Sequence, residues 1–281
     1  MSNPSQSVAS AAPHPAAVVA VAARLRADVQ GFLDEAGAVT GREATPRRAA
    51  ALVVPYDPHP LAGPTAGVGF ASVEVPSRCI VVVAAADASS SSSGAVIGPV
   101  RGTPLGAPRG DDELATAIVR GSEGAIARAS APAADEALDV LLPFVQVRNP
   151  EAHVLALRLP ADDWDSARRV AAALAAAVGA RDDVLVVAAS NMSRDAASDA
   201  RKDRDARVLE HLLALEGSQL LDVARGEGAF ITGAPAMACV CEYARLRGTS
   251  EGELVAYSHS GIVTGNADRV TGYAAVVLGA E

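Results

Sequence analysis

Histidine, cysteine, serine and carboxylate side chains are the groups that could carry chemistry here, and their spacing constrains what that chemistry is. The histidines are His14, His59, His153, His211 and His259, and no two share the short spacing of a zinc motif. His59 and His259 follow apolar runs that read as strands, and sites of α/β folds collect in the loops there. Even at these two, a structural or surface ring is the plainer reading. Cys239 and Cys241 resemble a metal pair, but residues two apart on a helix point about 200° away from each other, so packing is the expected role. Ser258-His259-Ser260-Gly261 sets a nucleophile beside a base in sequence. Neighbours on a strand face opposite ways, and there is no G-x-S-x-G elbow. Gly67-Val-Gly69, read as lying near a strand, lacks the third glycine of a dinucleotide loop, and there is no P-loop.

Several apolar runs must position these groups. Residues 49–55 and 79–84 read as buried strands, the second opening into Asp87, Ala88 and the serine run Ser89–Ser93. His153–Leu159 and Val184–Ala188 are further strands, as are Glu253–Ser258 and Ala274–Leu278 near the end. Helical spacing predicts helices over 17–35, 111–119, 135–146 and 161–178. Asp162, Asp163 and Asp165 stand at the positive end of the last of these. A long helical stretch over 203–224 has a break expected at Gly217, and another helix starts at Pro235. Strands alternating with helices predict one α/β domain with a mixed sheet between helical layers, over 14–281, behind a disordered tail at 1–13.

The bulk numbers agree. Of the 281 residues, 50% are hydrophobic and only 3% aromatic, so a large core must be built mainly from Val, Leu and Ala. A net charge of −9, a pI near 5.1 and Lys202 as the single lysine argue against nucleic-acid binding. The apolar run 16–23 is too short for a membrane span. Three cysteines argue against a disulfide framework and fit a reducing, cytoplasmic setting.

The segment Tyr257-Ser-His-Ser-Gly261 through Gly265 to Gly272-Tyr273-Ala274-Ala275 resembles the closing segment of the Memo-like family, whose bacterial members are called AmmeMemoRadiSam system protein B. Four more matches follow in order: Val53-Val54-Pro55 with Gly63-Pro64, Thr103-Pro104-Leu105-Gly106, Leu138-Asp139-Val140 through Leu142-Pro143-Phe144, and Val186 to Ser193. The resemblance covers residues 45 to 278. It implies an α/β sandwich related to class III extradiol ring-cleaving dioxygenases, enzymes that hold non-haem iron through two histidines and a carboxylate.

Carried over position by position, the family's metal-site residues fall on Tyr56, Ala88, Ser89, Asp135, Glu136, Asn191 and Arg194, with the late cysteine on Ile231 or Thr232. None of the family's histidine ligands is kept, and guanidinium and alkyl groups have no lone pair to donate. The resemblance therefore implies no metal and no cofactor, in a pocket that binds a small molecule, a peptide or a protein partner. The alternatives are a rebuilt metal site using Asp57, His59 or Asp87, an acid/base enzyme around Tyr56, His59, Glu136 and His259, and a metal-dependent dioxygenase by fold analogy. No catalytic residue, substrate or oligomeric state is read from the sequence. Arg194 is expected to act as the pocket's fixed cation, paired with Glu136 or Asp135 or holding an anionic ligand. The competing expectation is a surface arginine paired with Asp195 or Asp199.

Overall fold

The computed structural model describes residues 15–41, 45–84, 94–159, 163–194, 198–226, 231 and 233–280. Chain order gives α1 (Pro15–Asp34), α2 (Ala36–Thr40), β1 (Ala49–Val54), α3 (His59–Ala71), β2 (Arg78–Ala84), β3 (Ala95–Pro99), α4 (Asp112–Gly121), β4 (Ile126–Arg128) and α5 (Glu136–Arg148). It continues with β5 (His153–Leu159), α6 (Trp164–Val178), β6 (Val184–Ala189), α7 (Ser198–Leu213), α8 (Gly217–Arg225), α9 (Ala234–Leu246), β7 (Gly252–His259), α10 (Gly261–Thr264) and β8 (Gly272–Ala280).

The strands form one eight-stranded sheet in the order β4-β3-β5-β2-β6-β1-β8-β7. Its centre, β5-β2-β6-β1, is parallel. β3 joins β5 antiparallel on one side, and β8 and β7 close the other side antiparallel. A central parallel strand is covered on both faces, which is why these segments read as unbroken apolar runs. The period of two sorts them: Val53, Ile80, Val82, Leu155 and Val186 pack towards α4, α6, α8 and α9, whereas Leu52, Val54, Val81, Val154 and Val187 pack towards α1, α3 and α5. The mixed sheet between helical layers is the architecture expected from the sequence.

Local differences have physical causes. Gly67 and Gly69 lie inside α3, not beside a strand. A Cβ on Gly67 would sit 2.5 Å from the carbonyl oxygen of Phe32, so glycine is what lets α1 lie against α3. The expected break at Gly217 is present: α7 ends at Leu213 and α8 begins at Gly217. There a Cβ would meet the Trp164 ring and the Ala238 carbonyl. Asp163 caps α6, accepting from the backbone N–H groups of Asp165 and Ser166, and these bonds lower its pKa against the effect of burial. Asp162 and the tail at 1–13 lie outside the described residues. Cys239 and Cys241 are buried within α9, with the Cys241 thiol 3.9 Å from the Leu212 carbonyl. Burial pushes the Cys79 and Cys239 thiols up to about 12, as for packing residues.

Candidate functional site

The C-terminal ends of β1 and β6 and the start of β8 meet at one edge of the sheet. The backbone ties them there: Ser190 N–H donates to the Val54 carbonyl, Met192 N–H to Gly272 and Gly272 N–H to Ser193. This brings Tyr56-Asp57, Asn191-Arg194 and Tyr273 together. The centre of the group is the Asp57 carboxylate. Its Oδ1 accepts from the Asn191 amide at 2.7 Å and from the Arg194 guanidinium at 3.2 Å, and its Oδ2 accepts from the Tyr273 hydroxyl at 2.7 Å. Asn191 closes the loop by accepting from the Tyr56 backbone N–H at 3.0 Å. Asn191 and Tyr273 are fully buried, while the Arg194 side chain keeps 42% of its surface exposed. Burial, and then the bond to Asp57, push the Tyr273 phenol well above its usual range, so it is a donor at every physiological pH.

A second polar group lies directly behind Gly272. Asp205 accepts from the Ser193 backbone N–H at 2.9 Å, from Arg201 at 3.2 Å and from the Tyr257 hydroxyl at 2.5 Å. Arg201 also donates to that hydroxyl at 2.6 Å, and Arg201 and Asp205 are both buried. A Cβ at Gly272 would collide with the Asp205 carboxylate and crowd Met192, so glycine is required where β8 passes between the two carboxylates. His259 pairs with Gly272 across β7 and β8. Among the described residues its buried Nδ1 has no hydrogen-bond partner, and burial followed by the charges of Arg201 and Lys202 lowers its pKa.

A family model described as Memo-like protein matches residues 22–277. The chain belongs to the Memo-like family. A MEMO1 family protein of Methanopyrus kandleri is 29% identical over 178 residues, 63% of each chain, and one of Methanothermobacter thermautotrophicus is 28% identical over 61% of this chain and 62% of its own length. The aligned part thus spans somewhat under two thirds of these relatives. One from Caldivirga maquilingensis is 23% identical over 81% of this chain and 82% of its own. The crystal structure of an uncharacterized protein from Escherichia coli K12 shares the fold, with a TM-score of 0.59 and 12% identity over 83% of this chain and all of its own.

A metal ion does not suit the donors that this Memo-like chain sets at these positions. Asn191 offers an amide, Arg194 has no lone pair, and both Asp57 oxygens already accept from cationic or neutral donors. Among the described residues no three His, Cys, Asp or Glu side chains form a group able to hold a metal ion. His59 is the first residue of α3 and not a loop residue. Its Nε2 lies 2.9 Å from the Val140 carbonyl, and its ring meets Phe144 edge-on. Asp135 caps α5 through the Ala137 N–H, and Glu136 is exposed, so the carboxylate that Arg194 bonds is Asp57 rather than either of them. Ile231 is half-buried and bridges to Ser193. Asp87, Ala88, Ser89 and Thr232 lie outside the described residues, as does Asp195.

Arg201, Asp205, Tyr257 and Tyr273 were not singled out from the sequence. The one-turn spacing of Arg201 and Asp205 gives a weak local signal. The tyrosines have none beyond their place in the closing segment.

Proposed function

We propose that this Memo-like chain is a metal-free binding protein, whose cleft takes a small molecule, a peptide or a protein segment through an anionic group. Tyr56, Asn191 and Arg194 are the described residues assigned to it. The observation that carries this reading is the Asp57 carboxylate held by three protein donors beside the family's metal-site positions. A guanidinium in place of a metal ion supplies the counter-charge that a buried carboxylate needs. Arg194 gives one amino nitrogen to Asp57 and is exposed enough to offer its other donors to a carboxylate or phosphate. Buried, unpaired cysteines support a reducing compartment, the cytoplasm.

Elemental analysis tests the reading. Purified chain incubated with ferrous iron, zinc or copper and then desalted should retain far less than one equivalent of metal, and catechols with added ferrous iron should show no oxygen uptake. Stoichiometric metal that is lost on His59→Ala or Asp87→Ala would overturn it.

A further inference from the structure

At the opposite ends of the same strands, roughly 17 Å away along β1, lies a second, open cleft of about 520 Å³. The starts of β1 and β6, the turn before β6, the end of α9 and the loop after it form its walls. In a chain of net charge −9 it gathers three arginines, Arg48, Arg181 and Arg247. Arg48 is paired with Asp182 and Glu74. Arg247 is fixed by donating to the carbonyls of Gly179 and Arg181, so its position is set while its charge meets no carboxylate among the described residues. The Arg181 side chain has no partner among the described residues, and Glu251 is the remaining acidic group of the wall. With Asp182 and Glu74 both on Arg48, Arg181 and Arg247 are the guanidinium groups of the wall that no described carboxylate pairs.

Hydroxyl donors complete the set. Tyr243 is almost fully buried, lines the cleft and donates to no described residue. Burial pushes its phenol up to about 12, so it stays a donor. Thr249 and Ser250 add two more hydroxyls. The fork of Arg181, the remaining N–H groups of Arg247 and three hydroxyls exceed what the two oxygens of a carboxylate can use. They suit the three terminal oxygens of a phosphate monoester, and the volume leaves room for an organic body.

We propose that this cleft binds a small organic molecule through its phosphate group, independently of the Asp57 site. The test is calorimetric titration of the full chain with glycerol 3-phosphate and with inorganic phosphate, against glycerol and sodium chloride at matched ionic strength. Saturable one-to-one binding of the phosphates alone is expected. Arg181→Ala, which removes no hydrogen bond or ion pair to a described residue, should weaken it about tenfold. Tyr243→Phe should weaken it without loss of fold, and Glu251→Gln should tighten it. Absence of saturable binding would overturn the proposal. So would binding that survives Arg181→Ala but is lost in Arg194→Ala, which would put the anion in the first cleft.

Discussion

Asp57 accepts from an amide, a guanidinium and a phenol with its two oxygens, so its partners should differ in what they contribute. Asp57→Ala leaves a buried amide and phenol without an acceptor and should cost about 3–5 kcal/mol. Tyr273→Phe removes one donor to a carboxylate and should cost about 1.5–3 kcal/mol. Arg194→Ala removes a half-exposed partner and should cost about 0–1 kcal/mol. Urea denaturation should give that order; a larger loss for Arg194→Ala than for Asp57→Ala would mean that the arginine, not the carboxylate, organises the site. The family resemblance drew Tyr56, Asn191 and Arg194 to one region, but the partner of Arg194 was not legible. Asp135 is used by the N-terminus of α5, a role that its place ahead of an apolar helical run already suggests. The true partner is 137 residues away in sequence, and no local pattern reports a pairing of that range.

Most elements were legible because their burial is one-sided or periodic. The four central strands are short apolar runs between polar turns, and α4 and α6 carry an apolar stripe opposite a charged face. α3 was not legible for the opposite reason. From Ala62 to Ala71 nearly every side chain is buried, leaving no polar face to set a period. Its glycines carry the packing: α1 and α3 approach until Phe32 fills the space over Gly63 and Gly67. Gly67→Ala should therefore destabilise the protein by about 1–3 kcal/mol. Gly31→Ala is the matching control. It lies within α1 with nothing within 4 Å of its added Cβ, and should be neutral or stabilise by up to about 1 kcal/mol. Thermal denaturation of the two variants checks this, and equal gains would show that helix propensity and not close approach decides both sites.

Both helical layers rest on the same strands, alternate residues of which feed the two cores, so calorimetry should show one cooperative unfolding transition; two separate transitions would contradict the shared sheet. The pH dependence of that transition should carry the mark of His259. Its neighbours are cationic, Arg201 and Lys202 on α7, and its ring nitrogen is buried. Its folded pKa is therefore lowered, and the unfolded chain, with a histidine near 6.5, binds the proton more readily. Where the unfolded state holds more protons, stability rises with pH. The contribution is complete above about 6.5 and lost as pH falls through the folded value. The shifted carboxylates titrate lower. Asp111 and Asp163 have lowered pKa values, so their contribution is lost only as pH falls below the ordinary carboxylate range. Asp135, raised chiefly by burial, has the opposite sign and loses stability as pH rises from about 4. Comparison with His259→Gln separates the histidine from this background. The melting temperature of the unaltered protein should fall on going from pH 7 to pH 5, and the fall should be smaller in the variant. Parallel curves would mean that the ring is protonated equally in both states and that Arg201 and Lys202 do not act on it.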